Sequence, residues 1–129
     1  MSKSKGTKPT EAELEVLQVL WKNGPSTVRF VHEKISKKKE IGYTTTLKIM
    51  QNMLDKDLVN RDDSTRTHVY TAVANEEATQ KDLLNRFLDS TFGGSAMKLV
   101  MQALGNHKAS KEEISKIREL LKEKEGGSK

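Results

Sequence analysis

Apolar residues recur at helical spacing in six stretches of this chain, and the alternation typical of strands replaces that spacing in a single region between them. Leu14, Leu17 and Trp21, with Val16 and Leu20, form the first stripe. The capping box Thr10–Glu13 opens it and Asn23-Gly24-Pro25 stops it, which predicts a helix ending at about Lys22. Ser26 or Thr27 caps a second helix, whose Val28, Val31 and Ile35 share a face and which ends in Lys37-Lys38-Lys39. The third stretch runs from Tyr43 to Asp57. Leu47, Met50, Met53 and Leu54 gather on one side with Ile49 at its margin, while Thr45, Lys48 and Asn52 project from the other, flanked by Thr44 and Asp55. The threonines at its start suit a first turn, where a hydroxyl satisfies an orphan amide.

After Asp57 the pattern changes. Leu58-Val59-Asn60-Arg61-Asp62 and Arg66-Thr67-His68-Val69-Tyr70-Thr71 are rich in β-branched and aromatic residues and are separated by Asp63-Ser64-Thr65, which predicts a β-hairpin. Three short helices and then a hairpin is the order of a winged helix-turn-helix. From Asn75 the chain is helical again. Ala78, Leu84, Phe87, Leu88 and Phe92 stripe a long helix stopped by Gly93-Gly94. Ser95 caps a short apolar segment from Met97 to Leu104 that Gly105 closes. Ser110 and Glu113 make a second capping box before Ile114, Ile117, Leu120 and Leu121, ahead of Gly126-Gly127.

The expected class is therefore mainly α with a small β-hairpin wing: a winged helix-turn-helix at residues 10–74 and a three-helix dimerisation domain at 75–125. Residues 1–9 read as a disordered basic tail and 126–129 as a second tail. Three helices in about 50 residues bury too little surface to stand alone. A two-fold dimer is the expected solution, with Leu84, Phe87, Leu88, Phe92, Leu99, Val100, Leu104, Ile114, Ile117 and Leu121 as its contact residues; packing back on the first domain is the alternative.

Composition narrows the function. Hydrophobic residues at 34% and charged residues at 32% suit a helix-rich chain with a modest core, and no apolar run approaches the roughly 20 residues of a membrane span. Neither membrane insertion nor a signal peptide is expected, and a cytoplasmic protein is the default. With no cysteine, disulfides and thiolate metal sites are excluded. His32, His68 and His107 lie in different elements without metal-ligand spacing, and no nucleophile or phosphate-loop motif occurs. No cofactor, no metal and no catalytic residue are expected.

The formal charge of +5 is unevenly placed: the first nine residues hold three lysines and no acid, whereas residues 10–74 and 75–129 each hold ten Lys and Arg against nine Asp and Glu. Any nucleic-acid role must then come from arrangement rather than net charge. The polar side of the third helix offers short donors and acceptors and one cation, the chemistry that reads phosphates and base edges; the same pattern also describes a solvated helix face. Arg61 and Arg66 sit near the base and tip of the hairpin beside it, which favours double-stranded DNA as the partner. A winged-helix module that docks a protein is the second reading, supported by the near-neutral charge. The lysine run at 37–39 is open between a solvated helix end and phosphate contacts.

Three motifs, in order and spacing, resemble the penicillinase-repressor (BlaI/MecI/CopY) family of bacterial transcriptional regulators: Thr10-Glu11-Ala12-Glu13-Leu14 with Leu20-Trp21, Tyr43-Thr44-Thr45-Thr46-Leu47 with Lys56-Asp57-Leu58-Val59, and Arg66-Thr67-His68-Val69-Tyr70. The resemblance spans Pro9 to Lys124. It implies a repressor that binds a palindromic operator as a homodimer, with residues of the third helix in the major groove, here Thr44, Thr45, Lys48 and Asn52. It also implies, in the antibiotic-resistance members, a membrane sensor and protease system that triggers cleavage in the dimerisation domain at an Asn-Phe bond. This chain departs from the pattern: Asn52 stands where many members have Arg, Asp57 where they have Gly, and Gln102-Ala103 at the cleaved bond. The family's operator sequence is not carried over. The copper-responsive branch uses a cysteine-rich site that this chain lacks.

Overall fold

In the computed structural model, which describes residues 8–106 and 108–127, the chain forms α1 (Glu11–Asn23), β1 (Ser26–Thr27), α2 (Val28–Ser36), α3 (Tyr43–Asp55), β2 (Val59–Asp62), β3 (Val69–Ala72), α4 (Glu76–Phe92), α5 (Ala96–Asn106) and α6 (Lys111–Gly127). Helix α1 begins on the expected capping box: Thr10 Oγ1 accepts from Glu13 N at 3.1 Å and Glu13 Oε1 accepts from Thr10 N at 3.0 Å. It ends where Gly24, at φ 84°, turns left-handed and its amide closes on Leu20 O at 2.8 Å. Thr27, not Ser26, caps α2, accepting from Phe30 N at 3.1 Å.

The expected two-stranded wing is the outer part of a three-stranded antiparallel sheet in the order β1-β3-β2. Ser26 pairs with Tyr70 and Thr27 with Val69, so the strand just before α2 is hydrogen-bonded to the wing. The wing strands run 59–62 and 69–72, leaving a longer tip than the three residues expected between them. Side chains from every layer of the first unit meet in one core. Val16, Leu17 and Leu20 of α1, Val28, Val31 and Ile35 of α2, Met50 and Met53 of α3, and Leu58, Val59 and Tyr70 from the wing are all buried. Each such aliphatic or aromatic side chain contributes about 1.5–3 kcal/mol.

Besides the exposed Glu15–Lys39 pair, two part-buried polar ties among the described residues fasten α1 to the rest. Trp21 Nε1 donates to Ala74 O at 2.9 Å, joining the end of α1 to the exit from the wing. Glu13, 4% exposed, takes Lys56 Nζ at 2.9 Å on both carboxylate oxygens, joining the start of α1 to the end of α3. A carboxylate this buried is stable only because the cap amide and the ammonium both satisfy it. Immediately after Lys56, Asp57 adopts φ 63° and lets Leu58 N reach back to Met53 O at 2.9 Å. This is the left-handed helix stop for which glycine is the usual residue, and Asp is among the few others that tolerate it.

The chain divides into two units between Leu83 and Leu84, within α4. In the second unit Gly93 and Gly94, at φ 59° and 84°, end α4 as expected. Ser95 caps α5, and Ser110–Glu113 forms both bonds of its capping box at 3.0 Å. Gly105 does not close α5, which continues to Asn106, and α6 runs through Gly126 to Gly127 rather than stopping before them. Among the described residues, none in α5 or α6 is buried, and none in α4. No helix of the described residues is long and apolar enough to cross a membrane.

Candidate nucleic-acid interface

Helix α3 is held on one side only. Met50 and Met53 are fully buried, with Leu47, Ile49 and Leu54 partly buried against the same core, while Thr44, Thr45, Lys48, Gln51 and Asn52 are exposed. Thr44, Thr45, Lys48 and Asn52 therefore lie together along one stripe, as their spacing predicts. Thr46 does not belong with them. It is fully buried, and its hydroxyl lies 3.1 Å from His32 Nδ1 and 3.4 Å from the carbonyl of Gly42, to which it donates. The expected threonine cap is also absent: Gly42 occupies the N-cap position and makes no side-chain bond to the first turn.

Beside this stripe lies a cluster that the sequence reading did not include. The His32 ring meets Tyr43 edge-on at 5.6 Å, and the Arg29 guanidinium sits 6.0 Å from the centre of the same ring. Tyr43 is 44% exposed and Arg29 is exposed. Arg29 thus adds, from α2, a cation beside Tyr43, the residue before Thr44. Its only signal in the sequence is that it falls outside the Val28, Val31 and Ile35 face.

The two wing arginines differ. Arg66 is exposed at the tip, where Thr65 Oγ1 donates to Thr67 O at 2.7 Å. Arg61 stands opposite Tyr70 in the strand register and is turned inward. Its guanidinium approaches Asp63 at 2.7 Å (Nε to Oδ1) and donates from Nη2 to Oδ2 at 3.3 Å. The shorter approach is a charge contact, because the Nε–H is not aimed along it and has no aligned acceptor. Hydrogen bonding to Tyr70 and then to Asp63 raises the Arg61 pKa further. Its charge is therefore partly committed inside the wing. His68 Nδ1 is 3.6 Å from the same Asp63 oxygen. Asp62 accepts from Ser64 N at 2.9 Å, and this bond, with one from the Ser64 side chain, holds its carboxyl below the usual range.

The residues expected in a dimer contact share another property. Leu84 and Phe87 are each 49% exposed, Leu104 is 43% and Leu121 is 56% exposed, Val100 is exposed, and Leu88, Phe92, Leu99, Ile114 and Ile117 are only half-buried. Phe87 and Phe92 stack edge-on at 5.6 Å, yet neither is enclosed. Met97, Met101 and Leu120 extend the exposed apolar set beyond the residues the sequence singles out.

Known proteins resemble the chain along nearly all of it. The penicillinase repressor of Bacillus licheniformis is 27% identical over 114 residues, covering 88% of this chain and 89% of that one. The penicillinase repressor of Staphylococcus aureus is 23% identical over 110 residues, or 85% and 87% of the two chains. The transcriptional regulator BlaI of Mycobacterium tuberculosis is 27% identical over 126 residues, or 96% and 90%. The solution structure of the DNA binding domain of the repressor BlaI superposes with a TM-score of 0.51 at 28% identity, covering 59% of this chain and 90% of that domain. With its match to the family pattern from residue 9 to residue 123, the chain belongs to the penicillinase repressor family, a family of transcriptional repressors and not of enzymes.

Proposed function

We propose that this chain represses transcription from the cytoplasm by binding an inverted-repeat operator as a homodimer and occluding a promoter. The observation that carries the proposal is the one-sided burial of α3, which leaves Thr44, Thr45, Lys48 and Asn52 exposed on a helix whose other side is locked into the core. From Thr44 to Asn52 that stripe spans roughly 12 Å of helix axis, or roughly three to four base-pair steps. Thr45 and Asn52 contact base edges, Asn52 being able to bond an adenine bidentately. Lys48 and Arg66 contact phosphates, and Arg29 and Tyr43 extend that contact toward α2. Arg61 contributes by bracing the wing through Asp63 and Tyr70 as well as by its charge. The exposed apolar residues of α4, α5 and α6 support the dimer, which would set two α3 helices about 34 Å apart, in successive major grooves.

Titration of an inverted-repeat fragment from the gene's own promoter tests this reading. Asn52→Ala should weaken cognate binding by about 1–3 kcal/mol and relax specificity, while Arg66→Ala should weaken binding to all sequences alike. Cognate binding should also fall steeply with added salt, as phosphate neutralisation requires. An Asn52→Ala protein that footprints and titrates like wild type removes the assignment of this face. Salt-insensitive capture of a protein partner in its place would favour the docking-module reading.

Control by sensor-triggered proteolysis belongs to the same proposal. The position of the family's cleaved bond, Gln102-Ala103, lies inside α5 and both residues are exposed. A protease takes an extended segment, so cleavage there requires local opening of α5 first.

A further inference from the structure

Away from α3, an open groove of about 740 Å³ lies between α1, the C-terminal half of α2 and the first turns of α4. Its floor is apolar, made by half-buried Val19 and Trp21 and by Ile35. Lys22, Lys34, Lys37 and Lys38 line it as well. Among the described residues, none of these lysines is in a salt bridge; Lys34 instead lies 5.3 Å over the Phe30 ring.

The acids at the groove do not cancel this charge. Glu15 is taken by Lys39 at 3.0 Å, outside the lysines of the lining, which leaves Glu76, hydrogen-bonded by Gln80 at 3.5 Å. The C-terminal end of α2 adds about half a negative charge. A clear positive excess remains over an apolar floor. None of Thr44, Thr45, Lys48 and Asn52 lines the groove, so this charge is separate from the exposed stripe of α3.

We infer that this groove is a binding site for a small amphipathic organic anion: an alkyl or aryl body lying on Trp21 and Val19, with a carboxylate held by the surrounding ammonium groups. The volume lies within the roughly 300–1,000 Å³ of small-molecule sites, and the apolar floor under a rim of placed charges would fix a ligand's orientation. A purely apolar ligand would leave the lysines unused, and a purely ionic one would leave the floor wet. This gives Lys37 and Lys38 a ligand to hold. Trp21 is bonded to Ala74 O just before α4, and Glu76 and Gln80 line the groove, so an occupant touches the segment that leads into α4.

Trp21 is the single tryptophan of the chain, so one indole NH resonance of the full-length, ¹⁵N-labelled protein reports on the floor of the groove. Titration with octanoate should shift that resonance saturably, and titration with uncharged 1-octanol should shift it weakly or not at all. The double variant Lys22→Gln with Lys34→Gln should bind octanoate about fivefold to tenfold more weakly. Octanoate binding to the unmodified protein should weaken with added sodium chloride, a readout that does not depend on any variant folding. No saturable shift, equal responses to octanoate and octanol, or a salt-independent affinity would each overturn the site.

Discussion

The two units of this chain are built on opposite principles, although both are stretches of short amphipathic helix. In the first, every stripe finds a neighbour: Val16, Val31, Met50, Met53 and Tyr70 are at most 1% exposed, and the polar groups among them are satisfied by Lys56, His32 and the caps. In the second, the apolar stripes on α5 and α6 are not enclosed among the described residues, and Met97 and Met101 are 74% and 67% exposed. The difference is one of partners rather than composition. A helix stripe records a demand for burial and does not say whether its own chain meets it.

The largest test of this contrast removes the bulkiest fully buried side chain of the first unit. Tyr70→Ala should destabilise that unit by about 3–5 kcal/mol, measured by urea denaturation, because it empties the centre of the core and detaches Arg61. In the second unit the loss should appear in association instead. Leu104→Asp should raise the dissociation constant of the proposed dimer by about a hundredfold, seen by sedimentation or light scattering, and leave the unfolding of the first unit unchanged. A chain that already sediments at 14.5 kDa at micromolar concentration would end the comparison.

Smaller effects sharpen the picture of the first unit. Asp57→Val should be less stable than Asp57→Gly by about 1–3 kcal/mol, since a β-branched residue is strained at φ 63° and glycine is not. Denaturation curves of the two variants measure the difference directly. The last test concerns only the tip of the wing. The Asp62 carboxyl is held below its usual pKa by Ser64, so the ordering of that turn is present above the ordinary carboxylate range. It is lost as pH falls through the lower folded value. The Ser64 amide resonance followed with pH should titrate with a midpoint below that of an unperturbed aspartate.

How far the fold is legible depends on whether a feature is written in period and caps or in tertiary pairing. Thr10–Glu13 and Ser110–Glu113 form the boxes that their spacing predicts, and the stripes of α1, α2 and α3 identify most of the core. Strand β1 is invisible because two residues carry no period; it exists through its register with Tyr70 and Val69. Thr46 misleads because its residue type reads as polar, whereas its hydroxyl is absorbed by the carbonyl four residues back and by His32. Gly105 and Gly126 mislead in the other direction: glycine permits a helix stop without compelling one. At the candidate site, periodicity places Thr44, Thr45, Lys48 and Asn52 on one exposed stripe. It cannot separate Arg61 from Arg66, because only strand pairing turns the first toward Tyr70 and leaves the second exposed at the tip.

The burial of Thr46 also divides α3 into what can and cannot vary. Positions 46, 50 and 53 are tied to the scaffold, and a change there alters the fold before it alters anything else. Positions 44, 45, 48 and 52 enclose nothing, so substitutions among them leave stability within about 0.5 kcal/mol. A helix partitioned in this way can be readdressed by exchanging its outer residues, one or several at a time, while the same scaffold is inherited intact.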